Sequence, residues 1–229
     1  MNIHIFGHSI CRRKKQDQAP HFVDILFEKY NLTDNCLHQV ANMSEERALF
    51  FLKKIPKLNT VILFHGVPAS IFVPAIDRDF NPENMGETWI DSNHNVRRYP
   101  NRDQSTYQGD QVLPYQHVSQ GAIRAAYDEH MKYFYTRDLQ RNRFLGALIQ
   151  IDQFLTHKKI PVVHCPLKNT IPSWFKFSSG IVDYELANLQ DYKIRETDMW
   201  NHVSPEKNKY IANKLIEYIN MLNGSAGRI

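Results

Sequence analysis

Residues 1–15 read MNIHIFGHSICRRKK and combine a strand pattern, a turn and a basic run. The apolar, β-branched stretch 2–6 predicts a first strand that Gly7 closes. Ser9 follows directly, and four consecutive cations occupy residues 12–15. Three interpretations are open for Ser9: a nucleophile presented at a strand end, the cap of a helix, or part of a turn that holds a phosphate.

Further strand and helix patterns alternate along the chain. Stretches 37–41, 60–65 and 161–166 predict strands, and 20–30, 44–55, 141–159 and 204–222 have helical periodicity. Ser44 and Ser204 stand at the N-cap positions, the latter followed by Pro205. Alternation of this kind predicts a mainly parallel α/β sheet with helices on both faces. Ligands then bind at the carboxyl ends of the strands, near Ser9, Asn42 and Gly66.

The length of 229 residues favours a single domain, residues 1–229. Within it, residues 67–120 are polar and have no clear period. A segment of that length is either a lid or binding segment, or an irregular excursion packed by its own aromatic residues and prolines.

Composition excludes several classes of protein. A net charge of +4 with one basic cluster does not indicate a nucleic-acid binder, and a basic run is more often a solvated surface. Three cysteines without ligand spacing predict neither a disulfide framework nor a metal site. Since no stretch resembles a membrane span or a signal peptide, we expect a soluble, cytoplasmic protein. We also expect no cofactor.

The other end of the chain supplies a partner for Ser9. In TDMWNHVSPEKNKYIANKLIEYI, Asp198 and His202 stand just before the final helical pattern. A serine hydroxyl becomes a nucleophile when a neighbouring imidazole removes its proton and a third group orients that imidazole. Each motif alone is weak evidence for a catalytic serine. The presence of both, one at each end of an alternating α/β chain, is more specific evidence.

These two motifs resemble those of the SGNH (GDSL-type) hydrolases, which are esterases and lipases with a flavodoxin-like, three-layer α/β/α fold. IFGHSI is similar to their strand ending in Gly-Asp-Ser, with His8 in the place of Asp. The C-terminal stretch looks like their D-x-x-H block, with one extra residue between acid and base. The resemblance covers both ends of the chain and the strand–helix order between them, but not residues 67–120.

The resemblance implies a role for each matching residue. Ser9 would be the nucleophile, His202 the general base and Asp198 the residue that orients His202. In VANMSEE, Asn42 stands where the family has its second-block glycine, and the backbone N–H groups of Ser9 and Asn42 would bind the oxyanion. Gly66 belongs to the third block and would lie at the same oxyanion hole.

The third block departs from the family pattern. The family has Gly-x-Asn-Asp, whose Asn is an oxyanion donor, whereas this chain reads HGVPAS. Either the Asn42 side chain or an asparagine from the long segment (Asn93, Asn95 or Asn101) replaces that donor, or the hole is incomplete.

The remaining histidines and cysteines have two interpretations each. His8 either tunes Ser9 or contacts an acyl group, or it only caps or packs the turn. His65, His164 and Cys165 fall inside strand patterns, which favours core residues. Cys11 lacks a pairing signal, so a cysteine mechanism is not expected.

Three functional hypotheses follow. The first is a serine ester hydrolase acting on a small acyl ester, of which acetylated carbohydrate is one example. The second is a binding protein of the same fold with impaired catalysis. The third is a phosphate or nucleotide binder, against which stands the lack of any glycine-rich phosphate motif.

Overall fold

The computed structural model describes residues 2–14, 18–39, 43–66, 71–73, 78–80, 89–90, 96–97, 137–190 and 202–226. Strands and helices follow in the order β1 (Ile3–Gly7), α1 (Phe22–Tyr30), β2 (Leu37–Gln39), α2 (Glu45–Lys54), β3 (Thr60–Phe64), β4 (Ile71–Val73), β5 (Arg78–Phe80), β6 (Trp89–Ile90), β7 (Val96–Arg97), α3 (Arg137–His157), β8 (Val162–Cys165), β9 (Ile181–Val182) and α4 (Pro205–Ala226). Short 3-10 turns lie at Ser9–Cys11, Asp34–Cys36 and Leu186–Leu189.

Five parallel strands form the central sheet, in the order β2-β1-β3-β8-β9. Because β2 and β3 lie on opposite sides of β1, the chain reverses its direction across the sheet between them. Ligands of open α/β sheets bind outside the carboxyl ends of the strands at such a reversal. The predicted parallel α/β sheet is therefore confirmed, and Ser9 follows the strand at the reversal point.

Alternating side chains bury both faces of the sheet. Ile3, Ile5 and Phe64 lie in one core with α1 and α4, whereas Phe6 and Leu63 lie in a second core with α2 and α3. The period of two along each strand separates the two sets. Helices cover both faces, as the alternation of patterns predicts.

The predicted helix starts are confirmed for α2 and α4. Ser44 Oγ accepts a hydrogen bond from Arg47 N–H at 3.2 Å, and Ser204 Oγ accepts one from Lys207 N–H at 3.4 Å. Pro205 is the first residue of α4, where its missing N–H costs no hydrogen bond. Both caps fix where the chain enters a helix at the carboxyl edge of the sheet.

The sequence does not predict strand β9, because its two residues are too few to show an alternation of apolar and polar side chains. It follows Gly180, whose φ of +78° is open to glycine at little cost. A Cβ at Gly180 would also meet the Val162 carbonyl. The glycine thus allows the fifth strand to approach β8.

Among the residues that the structure describes between 67 and 120 are four short strands. β4 pairs with β5, and β6 pairs with β7, each as a two-stranded antiparallel sheet. The sequence has no clear period in this range, and these strands are only two or three residues long.

Candidate functional site

Ser9 lies at the carboxyl end of β1, in the 3-10 turn Ser9–Cys11. The turn is closed by hydrogen bonds from Cys11 N–H to His8 O at 3.0 Å and from Arg12 N–H to Ser9 O at 3.1 Å. A Cβ at Gly7 would meet Cys11 Sγ and would lie 2.8 Å from Phe64 Cβ. Gly7 is therefore required for the tight turn that presents the half-buried Ser9.

The Ser9 hydroxyl contacts Gln190, a residue that the sequence interpretation missed. Gln190 Nε2 donates to Ser9 Oγ at 3.3 Å. Gln190 ends the Leu186–Leu189 turn, where Asp183 Oδ1 accepts from Glu185 N–H at 2.7 Å and from Leu186 N–H at 3.1 Å. No local pattern in the sequence could reveal a contact between residues 181 positions apart.

His202 stands just before α4 with a φ of +60°, which is uncommon for a residue other than glycine. The next residue, Val203, is fully buried, and its carbonyl accepts from Asn208 Nδ2 at 2.9 Å. Asn208 Oδ1 in turn accepts from Phe22 N–H at 2.9 Å. This anchoring to α1 fixes the backbone that carries His202. Residues other than glycine with a positive φ, such as His202, cluster at functional sites.

His8 precedes Ser9 in the chain and interacts electrostatically with other residues at this edge. Burial lowers the pKa of His8 to about 4; the nearby Glu45 carboxylate opposes that shift, and the imidazoles of His202 and His65 add to it. Ser9 follows His8 in the chain, and His202 is near enough to act on His8 electrostatically. Within the described part of the chain, His8 Nε2 is buried with no hydrogen-bond partner. The side chain packs in the turn and makes no capping hydrogen bond.

Gly66 follows β3, and its backbone is already engaged. Its N–H donates to Glu45 Oε1 at 2.9 Å, and a Cβ at this position would meet the Met43 carbonyl. The expected role of Gly66 at an oxyanion hole stays a prediction. To bind an oxyanion, this N–H would have to leave or share Glu45.

A buried chain of polar groups runs beside Gly66. His65 Nδ1 donates to Glu45 Oε2 at 3.1 Å, and His65 Nε2 lies 2.9 Å from His164 Nδ1. Burial lowers the pKa of His164 well below its usual value, and the His65 imidazole adds to this effect. The sequence correctly predicts that both histidines are buried, but not that a carboxylate joins them.

Two of the predicted site residues, Asn42 and Asp198, lie outside the described residues. Ser9, Gly66 and His202 are described, and all three lie at the carboxyl edge of the sheet. The structure therefore brings the two ends of the chain to one place and leaves the acid and the second-block residue as predictions.

Two cysteines and one residue of the basic run have surroundings that disfavour a reactive or anion-binding role. Burial raises the pKa of the Cys11 and Cys165 thiols well above the usual value, which disfavours the thiolate form. Arg13 is paired with Asp24 at 3.0 Å and with Asp34 at 2.9 Å. A phosphate at the β1 turn would have to compete with these carboxylates for Arg13.

Across the described ranges, no group of three or more histidine, cysteine, aspartate or glutamate side chains could hold a metal ion. None of the helices that the structure describes is long and apolar enough to cross a membrane. Comparisons of the chain with protein-family models, curated proteins and solved structures find no match. Any functional conclusion therefore rests on the residues at this edge of the sheet.

Proposed function

We propose that the chain is a serine ester hydrolase of the SGNH type. The observation that carries the proposal is the placement of Ser9 directly after β1, with His202, from the other end of the chain, near enough to the preceding His8 to act on it electrostatically. The strand order supports the finer assignment, because counted within the sheet it is 2-1-3-4-5, the flavodoxin-like order.

The proposed reaction has two steps. Ser9 Oγ attacks the acyl carbonyl while its proton passes to His202, and collapse of the tetrahedral intermediate returns that proton to the leaving alcohol. Water then attacks the acyl-enzyme and loses a proton to His202, and as the bond between the acyl carbon and Ser9 Oγ breaks, His202 returns that proton to Ser9 Oγ and the acid is released. Asp198 orients His202, and the N–H groups of Ser9 and Asn42 stabilise the oxyanion.

Gln190 supports the first step. Since the Gln190 amide donates to Ser9 Oγ, the hydroxyl proton is left to point toward a base. Replacing Gln190 by leucine removes a hydrogen bond worth about 1 kcal/mol, and we expect kcat to fall about fivefold to tenfold. Steady-state kinetics of Gln190→Leu beside Gln190→Asn measure this effect.

The substrate class that we propose is a small acyl ester, with acetylated carbohydrate as the first candidate. Hydrolysis of short p-nitrophenyl esters tests the chemistry directly. We expect Ser9→Ala and His202→Ala each to lower kcat by about 10⁴-fold or more. Ser173→Ala and His157→Ala change the same residue types at exposed positions and serve as matched controls. Activity that survives both site variants would reject the proposal.

One observation favours a second candidate, a binding protein of the same fold with impaired catalysis. The Gly66 N–H is occupied by Glu45, so the third block offers no free donor at that position. This candidate predicts no turnover of any acyl ester and no covalent labelling of Ser9 by a fluorophosphonate. Stoichiometric labelling would exclude it.

A further inference from the structure

Glu45, the first residue of α2, carries a carboxylate that is 3% exposed and has both oxygens engaged. Oε1 accepts from Gly66 N–H at 2.9 Å, and Oε2 accepts from His65 Nδ1–H at 3.1 Å. These two donors belong to consecutive residues just after β3. A single side chain therefore holds the end of β3 against the start of α2.

The same carboxylate sets the proton positions on two imidazoles. Because His65 gives its Nδ1 proton to Glu45, its Nε2 is an acceptor in the neutral ring, and His164 Nδ1 is the donor at 2.9 Å. The two rings are nearly parallel, at 15°, and Phe177 stacks on His164 with ring centroids 4.0 Å apart. Both imidazoles are buried, and the carboxylate that accepts from His65 Nδ1 sets the tautomer of that ring.

This cluster borders the turn that carries Ser9, because β1 and β3 are paired strands and Gly7 lies against Phe64, the residue before His65. Glu45 and His65 both act electrostatically on His8, the residue before Ser9, and so does His202. Gly66 lies against the Met43 carbonyl, which leaves no room for a side chain between the end of β3 and the residue before Ser44. A shift at Glu45 would thus move backbone at the same edge as the nucleophile.

We propose that Glu45 is a positioning residue for the chemistry at Ser9, acting through Gly66 and His65. The inference rests on the proposed hydrolase function and adds to it a residue outside the predicted triad that positions the reacting groups. A merely structural role would lower stability and leave the kcat of the folded protein unchanged.

Glu45→Gln removes the charge of the side chain and keeps its shape. The glutamine Oε1 accepts from Gly66 N–H, while its Nε2 must donate to His65 Nδ1. His65 then carries its proton on Nε2 and donates to His164 Nδ1, so the direction of the hydrogen-bond chain is reversed. The hydrogen bonds of Gly66 and His65 are kept, whereas the His164 proton moves to Nε2, which has no hydrogen-bond partner among the described residues. We therefore expect the variant to fold with reduced stability.

Glu46→Gln is the matched control, because it removes the same charge from the adjacent position of α2. Glu46 pairs with Arg143 through two hydrogen bonds of 2.8 and 2.9 Å, on the partly exposed side of the helix. Glu45→Ala is the stronger variant, since it also releases Gly66.

The experiment combines NMR of ¹⁵N-histidine-labelled protein with ester kinetics. We expect the His65 proton on Nδ1 in the wild type and in Glu46→Gln, and on Nε2 in Glu45→Gln. We expect kcat to fall about tenfold in Glu45→Gln and further in Glu45→Ala, with KM within about twofold of wild type. Glu46→Gln should leave kcat and KM unchanged.

The possible failures are distinguishable. An active wild type with unchanged kcat in Glu45→Ala overturns the positioning role and leaves the hydrolase proposal standing. A His65 proton on Nε2 in the wild type overturns the proposed chain of hydrogen bonds. A wild type that hydrolyses no ester overturns the hydrolase proposal, and the positioning role with it.

Discussion

Two histidine pairs lie on the α2 side of the sheet, and they differ in one respect. His4 Nδ1 and His38 Nε2 are 3.1 Å apart, and His65 and His164 are linked at 2.9 Å. The first pair packs among Phe6 and Phe51, whereas the second is tied to Glu45.

Burial lowers the pKa of at least one histidine in each pair. It lowers the pKa of His38 to about 4, with a further contribution from His4, and it lowers the pKa of His164 well below its usual value. Burial of imidazole alone therefore does not mark a functional site. The carboxylate and its contact with the turn after β3 distinguish the pair at the carboxyl edge.

The largest expected contrast comes from replacing each pair by apolar residues. His65→Leu with His164→Phe leaves the buried Glu45 with one donor fewer, and we expect a loss of about 3 kcal/mol in the free energy of unfolding. His4→Leu with His38→Phe removes both partners together, and its cost should be under about 1 kcal/mol. Urea titrations of the two double variants measure the difference, and equal costs would contradict the distinction.

Gly66→Ala tests the turn that only the second pair contacts. The new methyl group would meet the Met43 carbonyl, so the Glu45 contact must shift, and we expect a loss of about 2 kcal/mol. Gly146→Ala is the control, because that glycine lies inside α3 with nothing near its Cβ position. It should gain up to about 1 kcal/mol in helix propensity. Thermal unfolding of both variants measures these changes in stability. A Gly66→Ala variant as stable as the wild type would show that the turn is not constrained.

The smallest effect concerns pH and the first pair. The His38 pKa is about 4 in the fold and 6.5 for an unperturbed histidine, so between these values the unfolded chain binds the proton and the folded chain does not. The free energy of unfolding therefore falls as the pH drops from 6.5 toward 4, and because His38 is partly exposed we expect the total fall to stay below about 1 kcal/mol. His38→Phe should flatten that slope in urea titrations across the window. Parallel slopes for wild type and variant would argue against a lowered pKa.

Local signals in the sequence predicted much of the fold. The β-branched strands and the caps at Ser44 and Ser204 depend on neighbouring residues, so the parallel α/β sheet follows from them. The helical pattern at 141–159 corresponds to α3, which begins four residues earlier, at Arg137, because helix ends have weak signals.

The candidate site was predictable only in part. Ser9 and His202 stand out because turn and helix signals flank them. Glu45 is 20 residues from His65, and His65 is 99 residues from His164, so their hydrogen bonds depend on strand order and register. Gln190 is likewise brought to Ser9 only by the fold.

Reaction of the intact chain with a fluorophosphonate, read by mass spectrometry of its peptides, tests the central proposal most directly. We predict one adduct per chain, on Ser9, with labelling that is lost in Ser9→Ala and strongly slowed in His202→Ala. The exposed-site controls Ser173→Ala and His157→Ala should label like the wild type. A wild-type chain that takes up no label at Ser9, or a His202→Ala variant that labels at the wild-type rate, would contradict it.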